Sequence, residues 1–372
     1  IPNLRTASLD LDCVYGFGPE ASPHLYDNAA EGKLLTGTDE NPEDLARASD
    51  GTALIGDPRN DENIFVAQMQ NVFIKLHNRF IDEGLHFEEA QETCRFHYQY
   101  VVLHDFLKRV CDPEIYKFAV DRIYRKQYPL CYGPDEHGKL PMPVEFSVAA
   151  YRFGHSMVRS GYRVRSTSGS RTRKRNIDLF DETLSTGGFT VLPPEISVDW
   201  SCLLPVDSTT PDMGKAIDGK LASELNDLPF MRDGEPNPVK RSLAFRNLLR
   251  GRSLGLPSGQ DVAAALADCG YDIDPETINL PNARFPGFRD LPEKDRTALQ
   301  NETPLFFYGL VEGGDPNHLG PTFSAILMEV FGGMLVHCGT SYLHHGWSPD
   351  PAVAGTDHDL ELADLVRYAA GP

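Results

Sequence analysis

The stretch YRFGHSMV, residues 151–158, places an arginine, a glycine and a histidine close together on an apolar segment. Apolar residues at three- and four-residue steps over 145–158 predict a buried helix. Arg152 precedes His155 by three positions, so both side chains are expected on one side of that helix. Gly154 between them removes a side chain and permits the close approach of a flat ligand.

This combination of side chains suits an iron porphyrin. The imidazole of His155 can bind iron, and the guanidinium of Arg152 can meet a porphyrin carboxylate. A histidine on an apolar helix is, however, more often a buried structural residue. The neighbouring arginine and glycine are what favour the ligand interpretation.

A second pair with the same spacing lies in RNLLRGRSLGLP, residues 246–257. Asn247 and Arg250 fall on a predicted helix that ends at Gly251 or at Gly255 and Pro257. An asparagine can accept the free N–H of a ligating histidine and thereby fix its tautomer. Arg250 can hold a second carboxylate.

A third cluster, GDPRNDEN at residues 56–63, precedes a helix predicted to begin at Ile64. Taken alone, the cluster is typical of a helix start with Asn60 or Asp61 as the N-cap. Arg59 also places a cation on a loop, where it can stabilise negative charge on a departing oxygen.

The periodicity of the whole chain predicts a mainly α fold. The first 63 residues are rich in Gly, Pro, Asp and Asn and are expected to form loops. Only 163–165 and 189–192 suggest strands. We find no internal repeat, which favours a single domain. Further helices are predicted over 64–80, 88–110, 238–250, 259–268, 294–302 and 320–336.

Residues 163–175, RVRSTSGSRTRKR, are basic and rich in Ser and Gly. A solvated loop between helices is the favoured interpretation, with an anion- or polymer-binding loop as the alternative.

Charge and hydropathy exclude some partners. The 372 residues carry a formal net charge of −19, which opposes attraction to nucleic acid or to an anionic membrane surface. The most apolar run, 323–336, is interrupted by Glu329 and a glycine pair and is expected to be a buried helix, not a membrane span. The seven cysteines show no C-x-x-C spacing, so their pairing and the redox compartment stay open.

Four motifs occur in the order and approximate separation found in animal-type haem peroxidases, the group that includes myeloperoxidase and peroxidasin. They are IPNLRTASLDLDCVYG, GDPRNDEN before a helix with LHNRF, AAYRFGHSMV, and LLRGRSLGLP. The match runs from residue 1 to roughly 336 and implies one haem-peroxidase-like domain over 1–372, with long loops and little β. By resemblance the protein is a secreted haem enzyme that reduces hydrogen peroxide, oxidises small electron donors and responds to oxidative stress.

The resemblance also implies roles for the residues on the two helices. His155 matches the proximal ligand of the haem b iron, and Asn247 matches its hydrogen-bond partner. Arg152 and Arg250 match the arginines that face the haem propionates.

The resemblance assigns the third cluster to the peroxide side of the haem. Arg59 matches the distal arginine that assists peroxide cleavage, and Glu62 matches the acidic residue that is esterified to a haem methyl. Asn63 stands where myeloperoxidase has a methionine bonded to a haem vinyl. We therefore expect phenols, bromide, iodide or thiocyanate as donors, and not chloride.

The opening TASLDLD resembles the family's calcium loop. Thr6, Ser8, Asp10 and Asp12 alternate at a spacing of two, which in an extended loop brings oxygen atoms to one side around a hard cation. Without the resemblance, an Asp-rich turn is the better interpretation.

The family's distal histidine lies upstream of that loop, whereas this sequence begins within the motif at Ile1. His24 resembles a residue of the loop that follows and is not assigned the role. The distal histidine is the general base that moves the peroxide proton. We expect it on a separate chain or on a segment outside this sequence. A haem-binding or adhesive module without turnover is the alternative.

Fatty-acid dioxygenation is a second alternative within the same superfamily. It needs a tyrosine near the haem, three residues before the proximal histidine in cyclooxygenase. Here that position is Arg152, and Tyr151 lies about 100° further around a helix.

Other histidines are interpreted as structural or exposed. A transition-metal site at the irregularly spaced His337, Cys338, His344 and His345 is the weaker hypothesis. The residues interpreted as structural are His77, His97 and His104.

Overall fold

The computed structural model describes residues 7–181, 189–275, 286–313, 315–355 and 359–371. Up to residue 157 its helices are α1 (Asp12–Tyr15), α2 (Ile64–Asp82), α3 (Phe87–Val101), α4 (Lys108–Val110), α5 (Pro113–Tyr124), α6 (Val144–Val148) and α7 (Gly154–Met157). The later helices are α8 (Pro238–Arg241), α9 (Leu243–Ser253), α10 (Gly259–Asp268), α11 (Pro286–Arg289), α12 (Glu293–Asn301), α13 (Leu305–Val311), α14 (Pro321–His337), α15 (Pro351–Ala354) and α16 (Leu362–Ala370).

Strands contribute little to the described residues. They are β1 (Gly161–Ser168), β2 (Arg171–Asp178) and β3 (Ile196–Val198), which form one antiparallel sheet in the order β2–β1–β3. The predicted mainly α class with little β is confirmed. Among the described helices none has the length and apolar content needed to cross a membrane.

The chain forms two compact units. The first unit consists of Ile1–Asp105, Ser160–Met213 and Thr340–Pro372, and the second unit consists of Phe106–Arg159 and Gly214–Gly339. The organisation as one domain over 1–372 stays a prediction.

In the first unit, α2 supplies the central helix. Its apolar residues recur at three- and four-residue steps, and Leu76 and Phe80 are among the most buried. They join one core with Cys94 of α3 and Leu365 of α16. Burial of this stripe is the main force that holds the unit together.

The start of α2 differs from the prediction. Asn63 is the N-cap, and its side-chain oxygen accepts hydrogen bonds from the backbone N–H groups of Phe65 and Val66, both at 3.1 Å. The assignment of Asn60 or Asp61 as the cap was wrong, because those residues lie in a separate 3-10 helix, Pro58–Asp61, capped by Asp57.

In the second unit, α14 is the buried helix that the sequence predicts over 320–336. Phe323, Ile326 and Leu327 are fully buried, and the helix packs against α5, α6, α10 and α13. A Cβ atom at Gly332 would lie 2.6 Å from Cδ1 of Ile123 and 2.8 Å from Cδ1 of Tyr128. The glycine therefore allows these two side chains to pack directly on the backbone of α14.

The predicted helix over 145–158 is divided in three. Helix α6 ends before Ala149, whose φ of −126° and ψ of −73° are not helical, and a 3-10 helix, Ala150–Arg152, and α7 follow. Packing explains the break, because α6 and the 3-10 helix both contact α14 while Ala149 and Ala150 are fully buried. The predicted helix over 88–110 likewise changes to a π-helical turn at Val102–Leu107.

The two β predictions had opposite outcomes. Residues 163–165 lie in β1, as predicted. The basic segment 163–175, expected to be a loop, is most of a β-hairpin. The hairpin turns at Gly169, which has a φ of +58°. Residues 189–192 are not a strand. The reason is local, since Phe189 has a φ of +60° and Leu192 is followed by two prolines.

Candidate functional site

Three of the predicted site residues meet in the second unit. Nδ2 of Asn247, on α9, lies 2.9 Å from Nδ1 of His155, on α7. Nη1 of Arg152, in the 3-10 helix before α7, donates to Oδ1 of the same asparagine at 2.9 Å. The asparagine thus connects the arginine and the histidine, although the helix expected to carry both Arg152 and His155 is broken between them.

The direction of these hydrogen bonds fixes the imidazole tautomer. Oδ1 of Asn247 accepts from Arg152, so Nδ2 of Asn247 donates its hydrogen to Nδ1 of His155. The imidazole hydrogen then lies on Nε2, which has no hydrogen-bond partner among the residues that the structure describes.

The histidine is neutral in this environment. Burial lowers the pKa of His155 from 6.5 to about 4, and the positive charge of Arg152 lowers it further in the same direction. A neutral imidazole is the form that binds a metal ion. Asn247 is completely buried, whereas its neighbours Leu248 and Leu249 on α9 are exposed.

Two guanidinium groups act on one another near the histidine, and one of them, Arg152, also acts on His155. Burial, followed by the charge of Arg250, lowers the pKa of Arg152. In the described part of the chain neither arginine forms an ion pair with a carboxylate. Because like charges repel and neither is neutralised, an anionic ligand with carboxylate groups would be attracted to this place.

A cavity of about 760 Å³ lies beside α9. Asn247 and Leu248 contribute to its wall, together with Leu256, Leu305 and Phe306. Its size is within the range of pockets that bind small molecules. The described lining includes Asn247 but not His155, Arg152 or Arg250.

Arg59 lies in the first unit, on the 3-10 helix Pro58–Asp61. Its Nε donates to Oδ1 of Asp57 at 3.0 Å and its Nη2 donates to Oδ2 at 2.5 Å, while 65% of the Arg59 side chain is exposed. The hydrogen bonds to Asp57 raise the pKa of Arg59, so the guanidinium stays charged. Glu62, the next predicted residue, is exposed and ends the same 3-10 helix.

The predicted calcium ligands lie partly outside the described residues, which exclude Thr6. The Ser8 hydroxyl donates to Asp10, and the backbone N–H of Asp12 donates to Oδ1 of Asp10 at 3.0 Å. Among the described residues no three His, Cys, Asp or Glu side chains converge in a way that would hold a metal ion. The calcium site therefore stays a prediction.

The alternative transition-metal site consists of His337, Cys338, His344 and His345, all of which the structure describes. Their side chains do not form a group that could hold a metal ion. The buried His77 instead bonds through Nδ1 to the Tyr15 hydroxyl at 3.2 Å and through Nε2 to the Gly32 carbonyl at 2.9 Å.

Sequence reasoning missed two contacts of the predicted residues. It did not identify Asp57 as the partner of Arg59, although the spacing of two in GDPRNDEN is a local signal for such a pair. It also assigned Arg152 to a propionate without predicting its bond to Asn247. That bond joins positions 95 residues apart, for which the sequence contains no local signal.

Solved structures share this fold. Peroxidase A of Dictyostelium discoideum superimposes with a TM-score of 0.58 at 17% identity, over 97% of this chain and 68% of that one. A fatty acid alpha-dioxygenase of Oryza sativa superimposes with a TM-score of 0.57 at 17% identity, over 90% of this chain and 58% of that one. The architecture is therefore that of the haem peroxidases and their dioxygenase relatives.

The sequence gives the family. Residues 2–267 match the animal haem peroxidase family, and the chain belongs to it. A peroxidase-like protein of Margaritifera margaritifera is 28% identical over 181 residues, which are 42% of this chain and 22% of that protein. A peroxidasin homolog of Caenorhabditis elegans is 23% identical over 290 residues, which are 69% of this chain and 20% of that protein. The chain spans about a fifth of the length of these two relatives.

Proposed function

We propose that this chain binds haem through His155 and acts as a peroxidase that reduces hydrogen peroxide and oxidises small donors. The observation that supports the proposal is the hydrogen-bonded series Arg152–Asn247–His155, with a neutral imidazole at its end. When bound, haem supplies an iron centre that changes oxidation state during the reaction with peroxide.

The residues of the second unit fit such a group. His155 offers a neutral ring nitrogen, Nε2, without a protein partner among the described residues. Arg152 and Arg250 offer two guanidinium groups that lack a carboxylate in the same part of the chain, and haem carries two propionates. The charges and the ligand chemistry of these residues therefore suit haem.

Binding would require a local change at Asn247. For Nε2 to bind iron, the imidazole hydrogen must move to Nδ1, which then needs an acceptor. Oδ1 of Asn247 can be that acceptor once Arg152 turns to a propionate and the amide rotates. Arg152 would thus exchange Asn247 for a haem carboxylate as haem enters.

Arg59 is proposed to stabilise negative charge on the departing oxygen, with Asp57 holding its guanidinium. Its raised pKa prevents it from accepting the peroxide proton. The proton would be moved by an acid–base group other than Arg59, which by the family resemblance is a distal histidine. An acid–base group of this kind contributes about 10²–10⁴-fold.

Phenols, bromide, iodide and thiocyanate are the proposed donors. Attachment of haem through Glu62 is proposed as well, and so is a calcium ion at Thr6, Ser8, Asp10 and Asp12. Extracellular location is proposed by analogy with the family.

The test is peroxide-dependent oxidation of a phenol by the chain after loading with haemin. We expect weak activity in the parent chain, about 10²–10⁴-fold below that of a peroxidase with a distal histidine. We expect loss of that activity in His155→Ala and little change in His318→Ala, which alters a partly exposed histidine paired with Asp315. Equal activity in all three would contradict the proposal. Oxygen uptake with a fatty acid and no peroxidase activity would indicate the dioxygenase alternative.

A further inference from the structure

A buried carboxylate lies at the centre of a second polar cluster in the second unit. Glu329 of α14 is 1% exposed. Its two oxygens accept the backbone N–H groups of Leu130, Cys131 and Tyr132 at 2.8–2.9 Å and the hydroxyl of Tyr271 at 2.6 Å. Such a set of donors is what allows a carboxylate to be buried.

Two tyrosines form a directed series of hydrogen bonds that ends at this carboxylate. The Tyr271 hydroxyl uses its only hydrogen in the bond to Glu329, so it accepts the hydrogen of the Tyr128 hydroxyl, with which it is in contact. Both phenols are at least 96% buried. Burial raises the pKa of both well above 10, so both phenols are protonated at neutral pH.

The cluster and the segment that carries His155 contact adjacent residues of α14. Tyr128 packs directly on Gly332 of α14. The adjacent Phe331 ring lies 5.4 Å from the ring of Tyr151 and 6.2 Å from that of Phe106, measured between centroids. Phe106 in turn stacks on Phe153 at 6.4 Å, two residues before His155.

From this geometry we infer that Tyr271 is a redox-active tyrosine, with Glu329 as its built-in proton acceptor and Tyr128 as a hydrogen-bond donor to its oxygen. A one-electron oxidant removes one electron from the Tyr271 ring. The phenolic O–H bond breaks, and the proton moves along the 2.6 Å hydrogen bond to form an O–H bond on Glu329. Tyr128 keeps its hydrogen and donates it to the phenoxyl oxygen.

Proton and electron are both recovered when the tyrosine is reduced. The proton stays within the pair, because Glu329 is enclosed by the protein, and it returns to Tyr271 with an electron. The inference rests on the proposed function in one respect, namely that the oxidant in the working enzyme would be the haem group. The tyrosine chemistry itself can be examined with a different oxidant.

The alternative is that the cluster only anchors chain segments to α14. The Cys131–Cys269 disulfide is compatible with that role. The backbone N–H of Cys131 donates to Glu329, and Cys269 lies two residues before Tyr271. An anchoring role would make the cluster sensitive to mutation in stability measurements. It would not produce a tyrosyl radical or a dependence on solvent deuterium.

The experiment generates ruthenium(III) tris(bipyridine) by a light flash in the presence of a cobalt(III) quencher and records the tyrosyl radical by EPR in the chain without haem. We expect a long-lived radical in the parent chain, slower formation in deuterium oxide, and loss of the long-lived signal in Tyr271→Phe. The matched control is Tyr124→Phe, because Tyr124 is 49% exposed on α5. It should retain the signal.

Two further variants examine the partners. Glu329→Gln cannot accept the proton and should lose the signal; circular dichroism establishes whether that variant is folded. Tyr128→Phe removes the donor to the phenoxyl oxygen and should keep the radical with a changed g-tensor. A long-lived signal that persists unchanged in folded Tyr271→Phe would overturn the inference.

A parallel sample loaded with haemin and mixed with peroxide separates this inference from the proposed function. A radical with ruthenium but none with peroxide would leave Tyr271 redox-active and count against the peroxidase. The absence of a Tyr271 signal with ruthenium would reject the tyrosine site, whatever the haem-loaded sample does.

Discussion

Nδ2 of Asn247 donates a hydrogen bond to Nδ1 of His155 over 2.9 Å, although 92 positions separate the two residues in the chain. The contact joins α9 to α7, and Arg152 fixes its direction by bonding to the other end of the amide. The chemical form of the histidine is thus set by a residue that belongs to a different helix.

Replacing Asn247 is therefore expected to weaken haem binding. In Asn247→Ala, the haem-bound imidazole would lack an acceptor for its Nδ1 hydrogen, and loss of such a partner typically costs about 10- to 100-fold in metal affinity. A haemin titration followed by absorption measures the change. Asn226→Ala alters an exposed asparagine and should bind as the parent does. Equal affinity in both variants would contradict the role of Asn247.

The two arginines are expected to contribute separately to haem affinity. Arg250→Gln and Arg152→Gln each remove one guanidinium that would hold a propionate, and each should weaken binding by about tenfold, because a hydrogen bond to a charged group is worth about 1.5–3 kcal/mol. Arg246→Gln, at an exposed position of α9, is the control. Haemin dimethyl ester lacks the charged carboxylates. If the parent and both variants bound this ester with the affinity that the parent has for haemin, the proposed contact of the arginines with the propionates would be wrong.

Stability should depend on pH through His155. The folded chain holds the pKa of this residue at about 4 instead of 6.5, so between these values the unfolded chain binds a proton that the folded chain does not. The contribution to stability is full above pH 6.5 and is lost as the pH falls towards 4. We expect His155→Gln to remove roughly 3 kcal/mol of this dependence.

Urea denaturation of both proteins at several pH values measures this difference. The other buried histidines contribute equally to parent and variant and cancel. Parallel pH profiles for the two proteins would show that His155 is not held neutral by the fold.

A methyl group at residue 332 should destabilise the second unit. Gly332→Ala forces a Cβ against Ile123 and Tyr128, at 2.6 and 2.8 Å, and overpacking of this kind costs about 1–3 kcal/mol. Gly133→Ala is the control, because no atom lies within 4 Å of a Cβ built there. Thermal unfolding compares the two, and equal transition temperatures would show that α14 has room at this position.

Chloride should be a poor substrate of the haem-loaded protein. The proposed correspondence with myeloperoxidase puts Asn63 at the position of a methionine, and in this structure the Asn63 side chain caps α2. Bromination or phenol oxidation without chlorination at mildly acidic pH is the expected result. Asn63→Met should lose about 1 kcal/mol of stability with the cap. Robust chlorination by the parent chain would be inconsistent with this account.

Much of the helical fold follows from local signals. Helix α10 occupies the predicted residues 259–268, because Ser258 caps it and apolar residues follow at helical spacing. Helix α14 differs from its prediction by one residue at each end, with Pro321 at its start. By contrast, α5 was not predicted, although Asp112 and Pro113 form a recognisable start.

The breaks and contacts that shape the site have no such local signal. The segment 145–158 has helical periodicity throughout, yet packing against α14 interrupts it at Ala149. The resemblance to the haem peroxidases indicated that His155 and Asn247 are partners, and the structure places them in contact. The bond from Arg152 to Asn247, and the two tyrosines that meet Glu329, depend on side chains brought together by tertiary packing. In the sequence, Glu329 shows only as an interruption of an apolar run.

A haemin titration of the folded His155→Gly variant examines whether His155 is the iron ligand. The parent chain should bind one haem with the absorption and EPR spectrum of histidine-ligated ferric iron. The variant should lose that spectrum and regain it when free imidazole is added to fill the space left by the side chain. The same histidine-type spectrum in the variant without imidazole would show that another residue holds the iron, and the account would be wrong.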